Sequence, residues 1–166
     1  MMKKVAIVIL MVLLVCLFSA CPSQEAPDKS ENNEPEQGDT TNGQDEVTKM
    51  FITIYGNKLE VTLENNSAVK ELIELLKLGD VTYTANDYGG FEKVGNIGHR
   101  LTTSDEPVTT EPGDVVLYLG NQICIMVGSN SWSYTRIGKI SGYSASELKN
   151  LVGTGKGTAE VTLSLN

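Results

Sequence analysis

Histidine occurs once and cysteine three times in 166 residues. That scarcity excludes a multi-histidine zinc site, which needs several ligands at close spacing, and a disulfide framework. Basic charge is short too: thirteen Lys and Arg stand against twenty-one Asp and Glu, for a net charge of −8. A nucleic-acid partner draws its affinity from cations that displace counterions, so the balance argues against one. No apolar run reaches the ~20 residues of a spanning helix. At 166 residues the chain has room for one domain and little more.

What is present divides into three zones. In residues 1–20, Lys3 and Lys4 precede an apolar run from Val5 to Phe18, the pattern of a secretory signal peptide. The run ends in Leu17-Phe18-Ser19-Ala20-Cys21, which resembles a lipobox. Two small residues fit a peptidase groove, and Cys21 is expected to carry the lipid as the mature N-terminus. The reading is therefore a lipoprotein signal peptide, with an ordinary signal peptide or an uncleaved anchor as the alternative, a membrane partner reached through an N-terminal lipid anchor, and a location on the extracytoplasmic face of the cell membrane.

Residues 21–48 read as an acidic disordered linker. Pro22, Pro27 and Pro35 interrupt a polar stretch in which eight acidic residues face the single Lys29. Such a composition buries too little apolar area to offset the entropy of ordering. The acidity is concentrated here, which leaves residues 49–166 as a mildly acidic folded domain. A domain of that size buries about two-thirds of its unfolded surface.

Within the domain, Met50–Tyr55 and Lys58–Leu63 alternate around Gly56-Asn57, predicting a hairpin. Asn66 or Ser67 caps a helix with Val69, Leu72, Ile73 and Leu76 on one face, ended by Gly79. A strand follows over Val81–Ala85, then a long loop over residues 86–114, which must be functional or held by short strands. A second hairpin joins Val115–Leu119 to Gln122–Val127, and a loop from Gly128 leads into a short strand over Arg136–Ile140. Ser144-x-x-Glu147 is a capping box for a second short helix. Thr158–Leu165 closes the chain as a strand. The fold class is mostly β: a closed antiparallel β-barrel with two short helices.

This order is similar to the cyclophilin-like barrel, in its bacterial branch of small secreted or lipid-anchored domains. The residues that carry the resemblance are Asp87-Tyr-Gly-Gly-Phe-Glu-Lys-Val-Gly95, Pro112-Gly-Asp-Val-Val-Leu-Tyr118, Gly120-Asn-Gln-Ile123 and Gly128-Ser-Asn-Ser-Trp-Ser-Tyr-Thr-Arg-Ile-Gly-Lys-Ile140. Among relatives with prolyl isomerase activity, an Arg and an aromatic sit on the strand after the first helix, followed by a Gln-Gly-Gly-Asp segment. Val81–Gly95 has neither. The X–Pro bond turns against a barrier of about 18–20 kcal/mol, and a fixed guanidinium aimed at the proline nitrogen is one way to lower it.

Tyr88, Phe91, Trp132 and Tyr134 are read as loop aromatics which, with Gln122 and Arg136, line a groove for a peptide or small-molecule ligand. Plugging a barrel end is the structural alternative for Phe91 and Trp132. His99 beside Arg100, with Ser104-Asp105 nearby, lacks the oriented base of a nucleophilic triad. Gly153-Thr-Gly-Lys-Gly-Thr158 runs from helix to strand, the reverse of a phosphate loop. Cys124, between Ile123 and Ile125, reads as a buried inert thiol, and Glu60, Glu64, Glu71 and Glu74 as solvated faces, with a Lys70–Glu74 pair. No catalytic residue, metal ligand or cofactor is assigned. The leading expectation is a lipid-anchored, extracytoplasmic binding module. A peptidyl-prolyl isomerase or folding chaperone for exported proteins is the alternative, and a purely structural envelope protein the third reading.

Overall fold

Alternation builds the first hairpin of the computed structural model, which describes residues 46–166. Strands β1 (Lys49–Ile54) and β2 (Asn57–Leu63) bury Met50, Ile52, Ile54, Leu59 and Val61 on one face. The turn falls one residue earlier than expected, at Tyr55-Gly56, because Ile54 pairs with Asn57. Both turn residues have positive φ, 47° and 77°, the backbone hand that suits a two-residue hairpin. Tyr55 is held there by a bond from its hydroxyl to the Thr158 carbonyl.

Helix α1 (Ser67–Leu78) is capped by Asn66, whose side-chain oxygen accepts from Val69 N at 3.0 Å. The same amide donates to the Arg136 carbonyl at 2.7 Å, so the cap also ties the helix to the sheet. Ala68, Val69, Leu72 and Leu76 form its buried stripe. On the outer face Lys77 pairs with Glu74, in place of the expected Lys70–Glu74 pair. Glu71 is not merely solvated: its carboxylate accepts from Thr102 N and Oγ1. Those bonds, the hydroxyl's first, hold its carboxyl below the usual range. Helix α2 (Ala145–Leu151) has the expected capping box, with both Ser144 and Glu147 engaged.

The remaining strands are β3 (Val81–Tyr88), β4 (Glu92–Asn96), β5 (Glu106–Thr109), β6 (Asp114–Tyr118), β7 (Gln122–Met126), β8 (Ser131–Lys139) and β9 (Ala159–Ser164). The stretch expected as a loop over 86–114 thus holds the end of β3 and all of β4 and β5. Every pairing is antiparallel, in the order β2-β1-β9-β3-β4-β7-β6-β8-β5. Thr62 and Leu63 of β2 also pair with Lys139 and Gly138 of β8. The described residues are therefore mostly β, a single antiparallel sheet with two helices.

Two apolar clusters lie on opposite sides of the β6–β7 hairpin. Val115, Leu117, Ile123 and Ile125 join the main core with the α1 stripe, while Val116, Cys124 and Met126 join Val108 and Tyr134 in a second cluster. Successive strand side chains point to opposite faces, so β7 is covered on both. That is why its sequence reads as an apolar run rather than an alternation.

Lys93 of β4 has a fully buried side chain, and its Nζ lies 2.8 Å from the Asp87 carboxylate. It also donates to the carbonyls of Gly157 at 2.7 Å and Gly153 at 3.3 Å. Asp87 in turn accepts from the amides of Gly155 and Gly157. The Gly153–Thr158 segment is thus a closing turn, as expected, folded around a buried ion pair.

Candidate functional site

The second cluster carries a concave site on the face of β4, β7, β6 and β8 away from the main core. β4 contributes Glu92 and Val94, β6 Tyr118, β7 Gln122, and β8 Trp132 and Tyr134. The β3–β4 turn adds Tyr88 and Phe91 at the rim, and Asn130 adds a polar group beside β8. The cavity measures about 750 Å³. A groove of similar volume, about 770 Å³, runs along α1. It is lined by Glu and Lys side chains together with Val47, Val69 and Ile73, without an aromatic anchor, so the aromatic cavity is the better-built candidate.

Local geometry fixes these side chains. A Cβ at Gly89 would overlap the Phe91 ring, and Gly89 and Gly90 both have positive φ, so this turn requires glycine. The Phe91 carbonyl accepts from Val127 N and Gly128 N, and its ring meets Tyr88 edge-on at 5.9 Å. Tyr118 and Tyr134 are likewise edge-on at 6.1 Å. Asn130 is held through its backbone by the buried Thr110 and donates from Nδ2 to the Tyr134 hydroxyl at 2.8 Å.

Five of the six residues nominated from sequence, Tyr88, Phe91, Gln122, Trp132 and Tyr134, line this one cavity. Their setting differs from the expected loops: Trp132 and Tyr134 lie on β8, and Tyr88 ends β3. Of the two rings with a structural alternative, Trp132 is 59% exposed and does not plug the core, whereas Phe91 is half-buried and packs against the second cluster. Arg136 does not line the cavity. It sits farther along β8, half-buried, with Nε 3.5 Å from Glu106. Cys21 lies outside the described residues.

Glu92, Tyr118, Val94 and Asn130 were not nominated. Glu92 matters most. It is 6% exposed, and its Oε2 has no hydrogen-bond partner among the described residues. Burial pushes its carboxyl above the usual range, partly opposed by the neighbouring Cys124 thiol. Burial, and then the charge of Glu92, push Cys124 far above an ordinary thiol, which agrees with an inert cysteine. Burial likewise raises the Tyr134 hydroxyl, against the bond from Asn130. His99 and Arg100 are exposed on the loop after β4, away from this cavity. Among the described residues no group of His, Cys, Asp or Glu is placed to hold a metal ion, and no helix is long and apolar enough to cross a membrane.

Residues 52–164 match the sequence profile of the Cyclophilin-like family. The chain belongs to that family. Its architecture is also similar to the solution structure of a hypothetical protein from Archaeoglobus fulgidus, with a TM-score of 0.54 and 19% identity. That match covers 75% of this chain and 99% of the archaeal one, and at such identity the likeness concerns fold alone. No curated protein matches the chain. Within this cyclophilin-like sheet, Val81–Gly95 forms β3, the Gly-Gly turn and most of β4, and the arginine that isomerases carry there has no counterpart.

Proposed function

We propose that this cyclophilin-like domain is a binding module, held on the extracytoplasmic face of a membrane by a lipid on Cys21, that takes a ligand into the aromatic cavity. One observation carries the reading: side chains from β3, β4, β6, β7 and β8 converge on a single concave face with its own apolar floor. Aromatic walls with a few fixed polar groups are the usual composition of a small-ligand site. The β2–β8 pairing supports reading the sheet as a closed barrel, a stiff frame for such a face. The acidic stretch over 22–48 supplies a solvated spacer from an anionic lipid surface.

Isomerisation is the less favoured activity. The described residues that line the cavity include no arginine, and Arg136 is engaged by Glu106 outside it. An X–Pro peptide assay on the full chain tests this directly. No rate gain is expected, and a gain abolished by Arg136→Ala would reverse the assignment. For binding, Trp132→Ala is expected to weaken ligand capture while leaving the melting transition in place, since an exposed truncation costs within about 0.5 kcal/mol. Loss of the cooperative melt would make Trp132 structural and remove it from the site.

A further inference from the structure

We propose that the cavity selects a small organic cation, an ammonium group on an apolar body, with Glu92 as its counter-charge. The inference rests on the ligand-binding reading above and adds the chemical class of the ligand.

Among the described residues lining the cavity, Glu92 is the one that can carry charge near neutral pH, and no Lys, Arg or His joins it. Its carboxyl is more than nine-tenths buried, with Oε2 unpartnered. A buried acceptor without a partner is costly, and native structures rarely leave one. An ammonium group satisfies it with charge, and an N–H with a hydrogen bond as well. Around it stand Tyr88, Phe91, Tyr118, Trp132 and Tyr134, whose ring faces attract cations. An anion would meet this wall with no opposite charge.

The groups facing Glu92 leave it without a cation of its own. From β7 comes Cys124, from β8 Tyr134, from β6 Tyr118 and from β3 Tyr88, a thiol and three phenols, none of which forms a cation. Its neighbour Lys93 points to the opposite face and is already paired with Asp87. In the free protein, burial makes Glu92 hold its proton to higher pH than an ordinary carboxyl. An arriving cation favours the carboxylate, so the proton leaves to solvent as the ligand enters.

The test compares choline with 3,3-dimethyl-1-butanol, its uncharged isostere, on the full chain. Trp132, the chain's one tryptophan, lines the cavity, so its fluorescence reports occupancy, and calorimetry in two buffers of different ionisation enthalpy reports proton release. Choline is expected to bind at least about tenfold more tightly than the isostere. Its affinity is expected to rise with pH above the range in which an ordinary carboxyl titrates, because burial holds the proton on Glu92 to higher pH. Glu92→Gln is expected to flatten that profile and close the gap. Equal binding of both compounds would overturn the cation assignment while leaving the pocket reading intact. No response to either would overturn both. Choline binding that keeps its affinity and pH profile in Glu92→Gln would remove Glu92 from the proposal. If that variant does not melt cooperatively, the wild-type comparison decides alone.

Discussion

Replacing Asp87 by alanine isolates the energetics of the buried ion pair at the end of the sheet. The Lys93 side chain has no exposed area, and its Nζ is 2.8 Å from Asp87. At an effective dielectric near 20 that separation corresponds to about 6 kcal/mol of attraction, before the cost of desolvation. Two glycine carbonyls remain on Nζ in the variant, but neither neutralises the charge. Removing one partner of a buried pair costs about 3–5 kcal/mol, because the survivor stays buried. With a urea slope of about 1–3 kcal/mol per molar, the unfolding midpoint should fall by about 1–5 M. Lys93→Met should cost less, since Asp87 is one-fifth exposed and keeps two amide donors. Adding Lys93→Met to Asp87→Ala should recover stability, the signature of coupling between the two. Burial opposes ionisation of Asp87, yet Lys93 and the glycine amides outweigh it and hold its carboxyl below the usual range. Its stabilising share is therefore full above the unfolded value near pH 4 and fades as pH falls through the lower folded value. The gap between wild type and Asp87→Ala should close below about pH 4. A midpoint shift under about 0.5 M, or a gap that persists into acid, would refute the reasoning.

Two further outcomes test the frame around the site. Cys124 should resist a thiol-exchanging reagent in the native protein and react only on unfolding, as read by mass on its own peptide. Prompt native labelling would contradict its burial and raised thiol. Asn66→Ala should cost about 1–2 kcal/mol in urea unfolding, for a lost helix cap and a lost tie to the Arg136 carbonyl. Asn66→Asp should recover part of this by restoring the cap alone, and full recovery would show that the tie contributes nothing.

The hairpins, both helix caps and the α1 stripe were legible because each follows from local chemistry: alternation, a capping side chain, a repeat of three and four. β4 and β5 were not. β4 begins Glu92-Lys93 and contains Gly95, a composition that reads as solvated loop, yet both side chains are buried, Lys93 on Asp87 and two glycine carbonyls and Glu92 in the aromatic cavity. Gly95 is there because a Cβ would meet the Thr84 carbonyl of β3, a contact no local pattern reveals. The first half of β8 looked like loop because Ser131, Trp132 and Ser133 are exposed and pair with β5, itself missed. The aromatics of the site stand out in the sequence as loop residues, although Tyr88, Trp132 and Tyr134 lie on strands. Glu92 gives no local signal because a glutamate is normally solvated, and Tyr118 reads as one residue of a hairpin strand. The apolar run across β7 was the available signal, since a strand covered on both faces implies a second cluster.

Strand β5 ends the sheet order, and because β2 is paired with both β1 and β8, β5 offers the free rim of hydrogen-bonding groups. A second molecule could extend the sheet there, as happens in strand-swapped assemblies and fibrils. That rim is only four residues long, and Pro107 has no amide hydrogen to offer. A border so poor in docking points leaves two copies little with which to join edge to edge.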